Sequence, residues 1–106
     1  MKANFIFFIS LVYIACASSI KMPTEKNLVV AKFKWEDSNL EQLQRGYKLF
    51  TTNCGGCHGI PEPNNHTNKE WETIVPQMSK VSKLNDNESL DILKFIISAK
   101  TDTTKI

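Results

Sequence analysis

Two cysteines and a histidine lie close together in the sequence Asn-Cys-Gly-Gly-Cys-His-Gly, which runs from Asn53 to Gly59. Two residues separate Cys54 from Cys57, and His58 follows the second cysteine directly. Thiols at this spacing form a redox-active disulfide, one half of a zinc site, or the attachment point of a haem. Each use requires different surroundings, so the rest of the sequence has to distinguish them.

The alternatives to haem lack their usual surroundings. A structural zinc ion takes four ligands, and beyond Cys54, Cys57 and either His58 or His66 there is no second cysteine pair to complete the set. A thioredoxin-type disulfide requires a βαβ frame, but no segment alternates like a strand for long. By contrast, C-x-x-C-H is a signature of covalent haem attachment. The sequence therefore favours haem over the zinc and disulfide interpretations.

A helix is predicted directly before the cysteine motif. Ser38 and Glu41 match a capping box, which indicates a helix over about residues 39–52. Gly46 lies in its middle, where glycine costs about 1 kcal/mol relative to alanine, so we expect another backbone to cross closely there. The apolar residues of this helix share one face: Leu40, Leu43, Tyr47 and Phe50.

A second helix is predicted after the motif, beginning at the capping box of Thr67 and Glu70. Pro76 lacks an amide hydrogen and clashes with the preceding turn. We therefore expect the regular helix to end or kink near Val75, which would leave Met78 in a bend or a final turn.

A third helix is predicted near the end of the chain. Asn85 and Glu88 match another capping box, and the apolar pattern continues to about Ala99. Leu90, Leu93 and Ile97 are expected to face inward.

The sequence from Gly46 to Phe50, followed by Cys54-Gly-Gly-Cys-His58, resembles the G-x-x-L-F-x-x-x-C-x-x-C-H entry of cytochrome c domains. The resemblance covers about residues 38–99, and the pattern after the motif is similar to that of small bacterial monohaem and dihaem cytochromes c. It implies an all-α fold of about three short helices wrapped around one covalent haem c. It also implies thioether bonds from Cys54 and Cys57, His58 as the proximal iron ligand and Met78 as the distal one.

The spacing is compatible with Met78 as the distal ligand. Twenty residues separate it from His58, which is enough chain to pass around the ring edge and return on its other face. Without a haem, a methionine on an apolar face is usually core filler. His66 is the rival ligand, but it follows His58 by only eight residues in an Asn-rich loop. We interpret it as an exposed loop histidine before a helix cap.

The N-terminus has the features of an export signal. Lys2 precedes an apolar run over residues 5–15, which is too short for a mature membrane-spanning helix. The residues before Cys16 resemble a bacterial lipobox, although Tyr13 stands where leucine is usual. We predict that Cys16 is lipidated. Cleavage before Ser18, which would leave a soluble protein, is the alternative.

This division assigns residues 1–15 to a signal peptide, 16–37 to a tether, 38–100 to a cytochrome c domain and 101–106 to a polar tail. Phe33 and Trp35 are expected to pack against the domain at the end of the tether. After loss of Lys2, 12 basic and 11 acidic residues remain of the 13 and 11 in the full chain. With so small a net charge, the sequence lacks the basic character of a nucleic-acid-binding protein. No strong electrostatic attraction to a partner protein is expected either.

These features predict an electron carrier, not an enzyme, that passes single electrons between redox proteins in transient encounters. We expect it on the periplasmic face of a bacterial membrane, through the lipid anchor, or in the periplasm, with no small-molecule substrate. Two other functions stay open: a haem-based sensor or ligand-binding protein, and a docking cytochrome subunit of a larger oxidoreductase.

Overall fold

The structure, a computed structural model, describes residues 20–53 and 61–100. These residues form four α-helices and one 3-10 turn, with no strand among them: α1 (Glu25–Lys32), α2 (Leu40–Asn53), the 3-10 turn (Pro63–Asn65), α3 (Asn68–Val81) and α4 (Asp86–Ala99). The predicted all-α fold is confirmed. None of the helices in this part of the chain is long and apolar enough to cross a bilayer.

Helix α4 forms the centre of the fold, because α1, α2 and α3 all pack against it. Its residues Ile92, Phe95 and Ile96 are almost completely buried. The ring of Phe50 on α2 lies 5.9 Å from that of Phe95 and 6.4 Å, edge to face, from that of Trp71 on α3. These aromatic contacts join three helices into one hydrophobic core.

The predicted close crossing at Gly46 is confirmed. A Cβ atom at this position would lie 2.0 Å from the carbonyl oxygen of Asp91 and 2.9 Å from the Cβ atom of Phe95. Only a residue without a side chain allows α2 to approach the backbone of α4 this closely. Gly46 therefore sets the distance between the helix that leads into the cysteine motif and the central helix.

The N-terminal part of the described chain differs from the prediction. Within the segment assigned to a tether, Glu25–Lys32 form α1, which packs against α4. The fully buried Ala31 allows this close approach, and the side-chain amide of Asn27 donates a hydrogen bond to the carbonyl of Ser98 over 2.9 Å. A single small residue on the packed face gives too weak a periodic signal to predict such a helix.

The packing predicted for the end of the tether is wrong for one of its two aromatic residues. Phe33, which follows α1, is 86% exposed. Trp35 is partly buried, and the ammonium groups of Lys34 and Lys94 lie 5.2 and 6.0 Å from its ring centroid.

The start of α2 is shifted by one residue from the predicted capping box. The amide of Gln42 donates to the side-chain oxygen of Asn39 over 2.9 Å, and the amide of Asn39 donates to the side chain of Gln42 over 3.2 Å. Asn39 therefore caps the helix, while Ser38 is buried. The two candidate boxes, offset by one residue, fit the same sequence pattern.

The capping boxes of α3 and α4 are those predicted from the sequence. Thr67 and Glu70 exchange two hydrogen bonds of 3.1 Å each at the start of α3. Asn85 and Glu88 do the same at the start of α4, over 2.8 and 3.0 Å. Each pair satisfies two amides that the first helical turn leaves without intrahelical partners.

The helix does not end near Val75, one of the two outcomes predicted for Pro76, but continues to Val81. Met78 lies in its final turn, as predicted. The proline lies on the exposed side, where the carbonyl left without its amide partner can face water. The helix instead ends in a Schellman arrangement: the amide of Leu84 donates to the carbonyl of Ser79 over 2.8 Å. Lys83 adopts a left-handed conformation there, with φ of 58°.

Candidate functional site

Helix α2 leads directly into the predicted haem-attachment motif, since it ends at Asn53. Its last turn is held by side chains that bond back to the helix. The side-chain amide of Asn53 donates to the backbone carbonyl of Leu49 over 2.9 Å, and the hydroxyl of Thr51 donates to the backbone carbonyl of Tyr47 over 2.9 Å. These bonds fix the direction in which the chain leaves the helix.

The predicted attachment residues Cys54 and Cys57 and the predicted proximal ligand His58 lie outside the described residues, as does the predicted lipidation site Cys16. Their roles therefore stay predictions. The chain on either side of residues 54–60 is described, and it shows where the motif begins and ends.

An apolar cleft of about 110 Å³ lies between the end of α2, α3 and α4. Phe50, four residues before the first cysteine, and Pro61, three residues after the histidine, both line it. The described chain on both sides of the motif therefore borders this cleft. The other lining residues come mainly from α3 and α4: His66, Trp71, Ile74, Val75, Met78, Ser79, Leu84, Ile92 and Ile96.

Met78, the predicted distal ligand, lies on this cleft in the last part of α3 and is 40% exposed. It shares a helix face with Trp71 and Val75, both of which are buried. Because α3 continues through Pro76, the helix itself positions the thioether and no bend is needed. Its exposure distinguishes Met78 from a methionine that only fills the core.

His66 also lies on the cleft, which the sequence did not predict. It directly precedes the cap of α3, as expected, but its ring lies edge-on to Trp71 with 4.8 Å between the centroids. The ammonium group of Lys100 donates to the carbonyl of His66 over 3.0 Å. This loop histidine is therefore held at the mouth of the cleft, and its side chain is 37% exposed.

The pKa of Glu70 lies below its ordinary value of 4.5. The main cause is the hydrogen bond that its carboxylate accepts from the backbone amide of Thr67, and the hydroxyl of Thr67 lowers the pKa further. His66 contributes as well, with 3.4 Å between its Nδ1 atom and the carboxylate. The carboxylate is thus engaged in capping α3.

Ser79 also lines the cleft, and it was not predicted as a site residue. Its hydroxyl is buried and has no hydrogen-bond partner among the described residues, although a buried hydroxyl without a partner costs about 1–3 kcal/mol. The sequence signal is a serine on an otherwise apolar face, four residues after Val75. The buried hydroxyl of Ser38, which does not line the cleft, lacks a partner in the same way, so the unpaired state of Ser79 does not by itself indicate a bound group.

The chemistry of these walls suits one face of a haem. The lining is apolar and aromatic and includes Met78, and Cys54 of the attachment motif directly follows the last residue of α2. Among residues 20–53 and 61–100, no cluster of three or more histidine, cysteine, aspartate or glutamate side chains is arranged to hold a bare metal ion.

Comparison with known proteins agrees with this assignment. The family model described as Cytochrome c matches residues 43–104, more than half of the chain. The match spans the cysteine motif, α3 and α4. No curated protein and no solved structure matches the chain.

Proposed function

Since this chain belongs to the cytochrome c family, we propose that it is an exported monohaem cytochrome c that carries single electrons between redox proteins at the periplasmic face of a bacterial membrane. Cytochrome c domains bind haem covalently and serve haem-based electron transfer. The single haem, the partners and the location are parts of the proposal.

The observation that carries the proposal is the cleft beside the cysteine motif. Cys54 and Cys57 would hold the haem through thioether bonds, with His58 and Met78 as the axial ligands. Bound haem supplies an iron that changes between two oxidation states by one electron. If His58 and Met78 both bound the iron, the chain would leave no coordination site for a substrate, which favours electron transfer over catalysis.

The residues around the cleft have a definite task in this function. Phe50, Trp71, Ile92 and Ile96 are buried and exclude water from one side of the site. Apolar surroundings limit the rearrangement of solvent and protein dipoles when the iron gains or loses an electron. The indole N–H of Trp71 donates to the carbonyl of Pro63 over 2.8 Å, which ties α3 to the segment that follows the motif.

Partner contact is proposed to be small and transient, as is usual in electron-transfer encounters. Because basic and acidic residues are nearly equal in number, no strong electrostatic attraction is expected to guide the partner to the protein. Attachment to the membrane would come from acyl chains on Cys16. Mass spectrometry of the protein extracted from membranes tests this part: acyl mass on an N-terminal Cys16 supports it, and a chain that begins at Ser18 contradicts it.

The distal ligand is tested by Met78→Ala in haem-loaded protein. We expect loss of the sulfur–iron absorption band near the red end of the oxidised spectrum. Met22→Ala is the matched control, since Met22 is similarly exposed, at 49%, and lines a different cleft. An unchanged band in Met78→Ala would show that the assignment is wrong.

His66→Ala separates the rival ligand from the proposed one. We expect the sulfur–iron band to persist in this variant, because His66 is proposed to border the cleft without binding iron. Carbon monoxide binding by the reduced, native protein would indicate a labile distal position and would favour a haem-based sensor instead.

A further inference from the structure

Helix α1 and the residue that caps it expose two apolar side chains, which form a short apolar stripe. Val29 is 59% exposed and Phe33 is 86% exposed. They are four residues apart at the end of α1, so they lie on the same side one turn apart. A phenylalanine this exposed contributes almost nothing to the core, which makes the stripe a candidate contact surface.

The direction of this stripe is fixed by the opposite side of α1. Ala31 is completely buried, and the side chain of Asn27 is hydrogen-bonded to the carbonyl of Ser98 on α4. These contacts hold the helix against the domain. The stripe of Val29 and Phe33 therefore faces away from the domain and cannot turn inward without loss of that packing.

Lysines flank the apolar stripe on α1, and acidic residues follow it. Residues 20–37 contain four lysines and three acidic residues, Glu25, Glu36 and Asp37. Lys26 and Lys32 are exposed on either side of Val29 along the helix. Lys34 is paired with Glu72 of α3, so its charge is partly neutralised. Apolar side chains between lysines are the pattern by which a helix lies in the headgroup region of an anionic bilayer.

The position of α1 in the chain favours a membrane as the occupant. Nine residues separate the predicted lipidation site Cys16 from the first residue of α1, Glu25. That length of chain reaches at most about 30 Å even when fully extended. Any protein anchored at Cys16 would therefore keep α1 near the bilayer surface.

We propose that α1 docks on an anionic phospholipid bilayer, with Val29 and Phe33 inserted at the headgroup boundary and Lys26 and Lys32 beside lipid phosphates. The proposal rests on the membrane location in the proposed function, for which Cys16 is the predicted anchor, but its vesicle test requires neither the acyl chain nor the haem ligands. Its consequence is a fixed orientation: α4, which α1 covers, would lie on the membrane side of the domain, and α1 would direct how the haem domain meets its partners.

Vesicle binding of haem-loaded protein tests the proposal. The protein is exported with a fully cleaved signal and carries Cys16→Ser, so no acyl chain contributes. We expect binding to vesicles of two parts phosphatidylcholine to one part phosphatidylglycerol, and at least 10-fold weaker binding to phosphatidylcholine alone. Val29→Ser with Phe33→Ser should weaken the binding about 10-fold or more. The control Val81→Ser, at a residue 79% exposed on α3, should change it less than twofold.

The charge requirement is tested separately. Lys26→Glu with Lys32→Glu should also lower binding to the anionic vesicles at least 10-fold, because each basic residue near such a surface contributes a factor of about five. Lys80→Glu with Lys83→Glu makes the same charge change on exposed residues of another part of the molecule and should have a much smaller effect.

Three results would overturn the proposal. The first is equal binding to both vesicle types, and the second is an equal loss in the α1 and control variants. The third is self-association in sedimentation experiments that Phe33→Ser abolishes while vesicle binding is absent, which would assign the stripe to a second copy of this chain. The haem absorption spectrum separates failure of the membrane proposal from failure of the proposed function. The α1 variants should have the same haem spectrum as the parent protein, whether or not they bind vesicles. A colourless parent protein would instead contradict the haem proposal itself.

Discussion

Substitution of Gly46 by alanine tests the packing that positions the haem motif. A Cβ atom there would lie 2.0 Å from the carbonyl oxygen and 2.6 Å from the carbonyl carbon of Asp91, whereas ordinary contacts begin at 3.4 Å. Both of these atoms belong to the backbone of α4, so no side-chain rotation can relieve the clash. The helices would have to separate by more than 1 Å, with loss of packing along their whole contact.

The expected magnitude follows from two opposing effects. Overpacking costs about 1–3 kcal/mol, and a backbone clash lies at the upper end of that range. Alanine recovers up to about 1 kcal/mol through its higher helix propensity. We therefore expect Gly46→Ala to lower the free energy of unfolding by about 2 kcal/mol, and the melting temperature by roughly 8–16 °C.

Urea and thermal unfolding of haem-loaded protein, followed by far-ultraviolet circular dichroism, measures this effect. Lys48, exposed two residues later in α2, supplies the control. There the alanine variant should be about 1 kcal/mol more stable than the glycine variant, because only helix propensity differs. If Gly46→Ala also raised stability, the close crossing would not exist as described.

Three further substitutions test other parts of the fold. Lys83→Gly should raise the free energy of unfolding by about 1 kcal/mol in urea titrations. The left-handed conformation strains lysine by about 1–2 kcal/mol, and the greater entropy of glycine in the unfolded chain offsets only part of this strain. The control Ser82→Gly should not stabilise the protein. The lowered pKa of Glu70 means that its capping contribution is present above pH 4.5 and is lost as the pH falls through the folded-state value. Glu70→Gln should therefore weaken the pH dependence of unfolding below pH 4.5, and an unchanged slope would contradict the role assigned to that carboxylate. Ser79→Ala should lower the stability of haem-loaded protein by about 1 kcal/mol if the haem supplies the missing hydrogen-bond partner, whereas a gain would identify the hydroxyl as unpaired even with haem bound.

The helices with strong local signals were predictable from the sequence. The capping boxes at Thr67 and Asn85 set the starts of α3 and α4 through short-range hydrogen bonds. Gly46 indicated a close helix crossing because glycine is unfavourable within a helix unless space requires it. The capping boxes involve residues close together in the sequence, and Gly46 stands out because its residue type is unfavourable inside a helix.

The elements that depend on tertiary contacts were not predictable in the same way. Helix α1 is held by Ala31 and by the long-range hydrogen bond from Asn27 to Ser98, neither of which has a local signature. The continuation of α3 through Pro76 depends on which side of the helix faces solvent. Local rules overestimate the effect of a proline whose lost hydrogen bond can be replaced by water.

The candidate site shows the same division. Met78 was identified from its residue type and its spacing from His58, and the structure places it on the cleft. His66 and Ser79 lie on the same cleft, but their positions result from folding of the 3-10 turn and of α3. The sequence thus predicted that Met78 belongs to the site, whereas the positions of His66 and Ser79 required the fold; the ligand roles themselves stay predictions.

The proposed function depends above all on a covalent bond between the chain and a haem, and this bond can be tested directly. The protein should be produced with a haem-attachment system, separated on a denaturing gel, and stained for haem. We expect the haem to stay on the chain under denaturing conditions and to be absent from the chain in the double variant Cys54→Ala with Cys57→Ala. A colourless, compact wild-type protein, with both thiols free or bound to another metal, would contradict this expectation.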